Sequence, residues 1–191
     1  KIISFDETGW NLEQTLPFPG TVTGNPYFAW DIHAYSDGSR FAASCQLDNT
    51  FGPDAGSVYV YSLNSSGSWE LSQHIEPPAG APVRFGSYVR WHNDALFVSH
   101  SLWDEAPSTN AVYRYTLNNN NLELTQTISA PGSIGKLGGY LDFYNDTTLA
   151  LFHRIGYADA EIMMFSLINQ EWGYQQTLPA SEGTGNRNNW I

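Results

Sequence analysis

The sequence predicts an all-β protein, a β-propeller of four-stranded antiparallel blades, and three observations indicate this class. The first is a repeat in which a glutamine follows four residues after a tryptophan or a leucine. The four copies are Trp10 with Gln14, Trp69 with Gln73, Leu122 with Gln126, and Trp172 with Gln176. Their spacing of about 50 to 60 residues is typical of propeller blades rather than of short helical repeats.

The second observation is a strand-like block that precedes each copy and is separated from it by a short polar turn. The blocks are I-I-S-F (2–5), V-Y-V-Y-S-L (58–63), V-Y-R-Y-T-L (112–117) and I-M-M-F-S-L (162–167). Two apolar blocks joined by a short polar turn predict a β-hairpin. We name the two strands of this hairpin c and d.

The third observation is the composition. Aromatic residues make up 15% of the 191 residues, with 17 glycines and 10 prolines but only 8 lysines and arginines. Strand and turn formers are therefore abundant. No run approaches the ~18 apolar residues of a membrane helix, so we expect no membrane insertion. The net charge of −11 argues against a nucleic-acid partner, because phosphate binding needs clustered lysine and arginine.

Two further strands, a and b, precede the hairpin in each of three units. Strand a covers 28–33, 85–90 and 137–142, and strand b covers 40–44, 95–99 and 148–152. The turns between them are rich in aspartate, asparagine and glycine, which favour tight turns. Each unit is therefore predicted to be a four-stranded antiparallel meander.

The predicted organisation is a single propeller domain or propeller fragment over residues 1–191. Residues 1–16 form strands c and d of a split blade, residues 27–75, 84–128 and 136–178 form complete blades, and residues 179–191 begin the next blade. Two architectures fit this arrangement. The chain is either part of a six- or seven-bladed ring, or a closed four-bladed ring in which residues 188–191 pair with the N-terminal hairpin.

These segments together resemble the FG-GAP repeat, the blade of the integrin α-subunit head and of related bacterial and fungal propellers. The resemblance rests on Phe85-Gly86, on G-P-D-A-G-S-V-Y-V-Y-S-L (52–63), and on Trp69 with Gln73, and it spans nearly the whole chain. Many members carry a D-x-D-x-D-G calcium loop between strands a and b. The corresponding turns here are too short to supply the six or more oxygens of a calcium site, so we expect no calcium there.

The face formed by the b–c and d–a loops carries the predicted binding site. Each b–c loop places an aromatic ring near a carboxylate: Phe51 with Asp48 and Asp54, Trp103 with Asp104, and Tyr157 with Asp159. A flat ring beside a hydrogen-bond acceptor suits either a sugar or the hot spot of a protein partner. We therefore expect a protein or glycan ligand on this face.

No catalytic or metal-binding motif is present in the sequence. Cys45, His100 and His153 occupy equivalent positions after strand b, but their spacing does not match a chelate. Cys45 is expected to be a small buried hydrophobe. The sequence accordingly predicts no enzyme, no cofactor and no metal.

Two sequons, at Asn64 and Asn145, fall in predicted turns and suit glycosylation outside the cell. The chain opens at Lys1 without an apolar leader, which we interpret as a processed form or an excised piece. The predicted function is a secreted or cell-surface, non-enzymatic module for recognition or adhesion. The alternatives are an extracellular scaffold that self-associates through open blade edges and a propeller-fold enzyme acting on glycans.

Overall fold

The computed structural model describes residues 1–20, 27–79, 81, 84–100, 111–129, 131, 136–155 and 159–179, and these form β-strands and turns. An N-terminal hairpin consists of β1 (Ile2–Asp6) and β2 (Gly9–Gln14). Blade 1 consists of β3 (Phe28–Ala34), β4 (Arg40–Cys45), β5 (Ser57–Leu63) and β6 (Trp69–Ile75). Blade 2 consists of β7 (Phe85–His92), β8 (Ala95–His100), β9 (Ala111–Asn118) and β10 (Asn121–Ser129). Blade 3 consists of β11 (Lys136–Asn145), β12 (Thr148–Ile155), β13 (Asp159–Ile168) and β14 (Glu171–Pro179).

Each blade is an antiparallel meander whose strands pair in chain order. The predicted class, three complete blades preceded by a hairpin, is confirmed. No helix among the described residues has the length and apolar character needed to cross a membrane.

Tight two-residue turns connect the two outer strands of blades 2 and 3. Asn119 and Asn120 join β9 to β10 with φ values of +47° and +72°, and Asn169 and Gln170 join β13 to β14 with +51° and +69°. Two consecutive positive φ values are the signature of the turn that matches the right-handed twist of a hairpin. In blade 1 the same connection is longer, and the Asn64 side chain accepts hydrogen bonds from the Ser66 and Ser68 N–H groups.

The core lies between blades, which pack face to face. One apolar cluster joins the hairpin to blade 1 and includes Phe41, Tyr59, Tyr61, Ile2 and Phe18. A second joins blades 1 and 2 and includes Val58, Val60, Phe85, Val89 and Leu96. A third joins blades 2 and 3 and includes Phe97, Val112, Leu137, Leu141 and Phe165. In blades 1 and 2, strands b and c are largely buried on both faces, which explains their weak alternation of polar and apolar residues.

The second residue of β3, the second residue of β7 and the equivalent third residue of β11 have a positive φ. The values are +61° at Ala29, +83° at Gly86 and +86° at Gly138. A Cβ added at Gly138 would lie 2.7 Å from Val112 Cγ2 of the preceding blade. Glycine recurs here because the backbone is left-handed and closely approaches a neighbouring blade.

The repeated glutamines join neighbouring blades. Gln14 Nε2 donates to the Trp69 carbonyl oxygen at 2.8 Å, and the Trp69 N–H donates to Gln14 Oε1 at 2.8 Å. Gln126 makes the same two bonds to Trp172, each 2.9 Å long. A side-chain amide carries the same donor and acceptor as a backbone peptide group. Each glutamine therefore satisfies the free backbone N–H and C=O groups at the outer edge of the following blade.

The array is open at both ends over the described residues. The Trp10 side chain of the hairpin is 72% exposed, whereas Trp172, its equivalent in blade 3, is 5% exposed. The predicted four-bladed closure depends on residues 188–191, which lie outside the described part of the chain, so the number of blades stays a prediction.

Candidate functional site

The structure describes three of the seven residues predicted to bind a ligand on the loop face. Phe51, Asp48 and Asp54 lie in the connection between β4 and β5. Trp103, Asp104 and Tyr157 fall outside the described residues, as does the side chain of Asp159 at the start of β13.

Asp48 is a buried anchor of this connection rather than a surface group, with 1% of its area exposed. Its carboxylate accepts hydrogen bonds from the Thr50 N–H at 2.9 Å and the Thr50 hydroxyl at 2.6 Å. The Ser57 and Tyr59 hydroxyls also donate to it. Burial raises the pKa of Asp48, but these donated bonds outweigh burial and hold the pKa below its ordinary value. The loop is therefore tied to the end of β5 through a charged group.

Phe51 is exposed above this anchor. Its ring lies 4.9 Å from the ring of His74, and with Pro53, Pro77 and Pro78 it lines a cavity of about 260 Å³. Burial lowers the pKa of His74 despite Asp48 Oδ2 at 3.5 Å, so its imidazole is neutral near pH 7. The backbone carbonyl oxygen of the exposed Asp54 accepts a hydrogen bond from the backbone N–H of Arg84 at 2.6 Å. The cavity is small and short of polar groups directed into it.

The remaining predicted positions have local roles. Asn64 directly follows β5 and Asn145 is the last residue of β11, and their side-chain oxygens accept bonds from the Ser66 and Thr147 N–H groups respectively. Cys45 is buried, and burial raises its pKa to about 12, which disfavours the reactive thiolate. Across the described ranges, no three histidine, cysteine, aspartate or glutamate side chains are grouped to hold a metal ion.

A second group of polar side chains lies on the inner strands β3, β7 and β11. Each strand contributes two residues in alternate positions, which place their side chains on one face. We call this group the hub cluster: Asp31, His33, Tyr88, Arg90, Tyr140 and Asp142. Of the residues between them, Val89 and Leu141 are buried on the opposite face, whereas Ile32 of β3 is 53% exposed. His33, Arg90 and Asp142 occupy equivalent positions on the three inner strands.

An ion pair connects blades 1 and 2 within the hub cluster. Arg90 Nη1 donates to Asp31 Oδ2 at 2.7 Å and to the Val89 carbonyl oxygen at 2.7 Å. Asp31 Oδ2 also accepts the Val89 N–H at 2.9 Å. Both side chains are half-buried. The arrangement holds the guanidinium in a defined orientation at the joint between the two blades.

His33 lies beside this pair as a neutral hydrogen-bond donor. Burial and then the charge of Arg90 lower the pKa of His33, although Asp31 and Asp142 act in the opposite direction. His33 Nδ1 accepts the Trp91 N–H at 3.2 Å. A neutral imidazole that accepts at Nδ1 carries its proton on Nε2, so it presents an N–H and is not poised as a general base.

Two tyrosines and a carboxylate complete the hub cluster. The rings of Tyr88 and Tyr140 lie 4.7 Å apart with an interplanar angle of 42°, and Tyr140 is 60% exposed. Burial, followed by its contact with the Tyr140 hydroxyl, raises the pKa of Tyr88. Asp142 is exposed, and its Oδ1 accepts the Phe143 N–H at 2.9 Å. The cluster thus combines an aromatic surface with a cation, neutral donors and carboxylate acceptors.

A cavity of about 330 Å³ beside Tyr140 and Asp142 extends onto Phe152 and Ile162 of blade 3. At the equivalent place on blade 2, the space is filled by the inner strand of blade 3, where a Cβ on Gly138 would lie 3.0 Å from Ser99 Cβ. We therefore assign the part of this cavity that lies over Phe152 and Ile162 to a blade interface.

No protein-family model matches the sequence, and no curated protein matches it. Solved structures do match. A protein from Lactobacillus plantarum has a TM-score of 0.57 at 14% sequence identity, over 93% of this chain and 50% of its own length. At this identity the similarity concerns the fold alone.

Two further matches are proteins of Bacteroides uniformis and Bacteroides fragilis, each named "putative 6-phosphogluconolactonase". The first has a TM-score of 0.42 and 11% identity, over 81% of this chain and 57% of its own. The second has a TM-score of 0.44 and 10% identity, over 78% of this chain and 56% of its own. This chain therefore spans between 50% and 57% of the length of the three proteins.

These matches correct the functional prediction. The comparisons contradict the predictions of a non-enzymatic adhesion module and of a chain that is not an enzyme, since two matched structures are each named "putative 6-phosphogluconolactonase". A propeller can draw its reacting groups from several blades, so a missing local motif does not indicate a missing activity. With TM-scores below 0.5, neither the reaction nor the substrate of those proteins transfers to this chain. The FG-GAP resemblance and the extracellular location stay predictions.

Proposed function

We propose that the protein binds a small hydroxyl-rich molecule, of the sugar class, on the hub cluster. The observation that carries the proposal is the joint placement of the Tyr88 and Tyr140 rings with Arg90 and Asp142 on adjacent inner strands. An exposed aromatic ring packs against the C–H face of a sugar, and flanking charged groups bond its hydroxyls. The hub cluster offers both kinds of contact within one face.

Each polar member has a defined capacity. His33 offers an Nε2–H donor, as argued from its bond to the Trp91 N–H. Arg90 is held in place by Asp31, so its remaining N–H groups are oriented before a ligand arrives. Asp142 supplies carboxylate acceptors at the exposed side. Preorganised groups lose little conformational entropy on binding, which favours affinity.

The experiment is a titration of the ¹⁵N-labelled chain with a panel of neutral sugars, sugar acids and sugar lactones, followed by NMR. Sugar acids are included because Arg90 offers a cation. We expect shifts on β7 and β11, and a loss of affinity of roughly tenfold on Tyr140→Ala and on Asp142→Asn. The same spectra report chemical change in the ligand, so turnover is measured together with binding.

Phe51→Ala is the matched control, since Phe51 is an exposed aromatic on the other candidate face. It is expected to leave binding unchanged. Shifts confined to the loop connecting β4 and β5, or a loss of binding on Phe51→Ala but not on Tyr140→Ala, would show that the hub cluster is not the site.

A further inference from the structure

The two ends of the blade array expose faces that are buried between blades elsewhere in the molecule. Because the units repeat, each residue on an end face has equivalents inside the array. Its exposure can therefore be compared with that of a residue in the same structural position.

The outer face of blade 3 is apolar. Ile162 on β13 and Leu178 on β14 are 45% and 43% exposed. Their equivalents in blade 2, Val112 and Ile128, are completely buried in the cluster that joins blades 2 and 3. We call the surface formed by Ile162 and Leu178 the tail face. Its composition is that of a blade interface.

The outer face of the hairpin is also apolar. Trp10 and Ile3 are 72% and 55% exposed. Their equivalents in blade 3, Trp172 and Phe165, are buried, and Trp172 packs edge-on against Phe97 of blade 2 with ring centroids 5.9 Å apart. We call the surface formed by Ile3 and Trp10 the head face. It corresponds to the side that every blade presents to the blade before it.

Gln176 is the fourth of the repeated glutamines. Gln14, Gln73 and Gln126 are half-buried, and each reaches the outer strand of the following blade. Gln176 occupies the same position on β14 and is exposed. By this equivalence, the outer strand of a further blade-like unit would lie within reach of its amide.

We propose that the tail face of one chain packs on the head face of a second copy, head to tail. Each internal interface joins a face of the Ile162 kind to a face of the Trp10 kind, and the described part of the chain displays one of each. In the joint, β13 and β14 contact the hairpin of the second copy, and the Gln176 amide reaches the outer edge of its β2. Such a contact is heterologous, so it closes into a ring or extends into a longer assembly according to the rotation per unit.

The test is the mass of the chain in solution, measured by light scattering and sedimentation over a range of concentrations. We expect association that strengthens with concentration. Ile162→Asp and Trp10→Asp should each weaken it by roughly tenfold or more, because a charge would be buried in an apolar contact. Gln176→Ala should weaken it less.

A mixing experiment tests the polarity of the contact. Chains with Ile162→Asp keep an intact head face, and chains with Trp10→Asp keep an intact tail face. Each variant alone should be monomeric, and an equal mixture should form a one-to-one complex and nothing larger. Circular dichroism and melting curves verify that both variants are folded.

Leu124→Asp is the control, because Leu124 on the internal strand β10 is 45% exposed, as Ile162 is. It should leave association unchanged. A wild-type chain that stays monomeric up to about 1 mM would overturn the proposal. A mixture of the two end variants that does not associate would overturn it too, as would association lost equally on Leu124→Asp.

Discussion

The side-chain amide of Gln73 pairs with the backbone of Leu122 in the next blade. Gln73 Nε2 donates to the Leu122 carbonyl oxygen at 2.9 Å, and the Leu122 N–H donates to Gln73 Oε1 at 2.8 Å. The two residues are 49 positions apart in sequence. This pair explains why glutamine recurs in the repeat, since the acceptor is a backbone group and needs no particular side chain in the following blade.

Gln73→Ala should therefore lower the free energy of unfolding by about 1 to 3 kcal/mol. The substitution removes two hydrogen bonds and leaves two backbone groups of Leu122 without their protein partner. Chemical denaturation measures the change. Gln176→Ala is the control, because this exposed glutamine should cost less than about 0.5 kcal/mol in the dissociated chain. Equal effects of the two changes would contradict a stabilising role for the bridge.

Trp172→Ala should lower the free energy of unfolding by about 3 to 5 kcal/mol, because the buried ring packs on Phe97 and Phe143. Trp10→Ala changes the same repeat position where the ring is exposed. Measured at a concentration at which the chain is monomeric, it should cost well under half as much. If both substitutions lower the free energy of unfolding equally, the difference in burial between Trp10 and Trp172 is contradicted.

Gly138→Ala should be destabilising by roughly 1 to 3 kcal/mol. Alanine at a φ of +86° is strained, and its Cβ would press on Val112 of blade 2. Ala29 already adopts the equivalent conformation with a φ of +61°. Ala29→Gly should therefore be neutral or stabilising by up to about 1 kcal/mol, since relief of strain offsets the greater freedom of glycine in the unfolded chain. Thermal melting of both variants provides the measurement, and a destabilised Ala29→Gly would count against this explanation.

Asp48→Asn should lower the free energy of unfolding at neutral pH by about 2 to 4 kcal/mol. An amide has one acceptor oxygen for the donors that now surround the carboxylate, and its NH₂ faces those donors. Asp54→Asn, in the same connection but exposed, should change stability by less than about 0.5 kcal/mol.

The pH dependence of stability follows from the same carboxylate. The pKa of Asp48 is lower in the folded chain than its ordinary value, so its contribution is complete above about pH 4 and is lost as the pH falls through the folded pKa. Asp48→Asn should flatten the decline of the unfolding free energy below pH 4. An unchanged acid limb in the variant would show that Asp48 is not responsible.

Some local features could be predicted from the sequence because they repeat and depend on neighbouring residues. The four-residue spacing of Trp69 and Gln73 predicted the outer strand of each blade, and short polar turns predicted the hairpins, as at Asn119 and Asn120. The loop-face prediction fared differently. The spacing of Asp48 and Phe51 suggested one exposed pair, but the structure buries the carboxylate and exposes only the ring, because Ser57 and Tyr59 on the adjoining strand draw the carboxylate inward.

The fold class, the strand order and the repeated positions could be predicted from the sequence alone, because strand periodicity and turn chemistry act over a few neighbouring residues. The side-chain contacts between blades could not, since they depend on the tertiary structure. Asp31 and Arg90 form an ion pair although they are 59 positions apart, and Tyr88 contacts Tyr140 on another inner strand. Such contacts depend on how whole blades pack face to face, and no local sequence pattern specifies that packing. The contacts within the hub cluster therefore could not be predicted from the sequence.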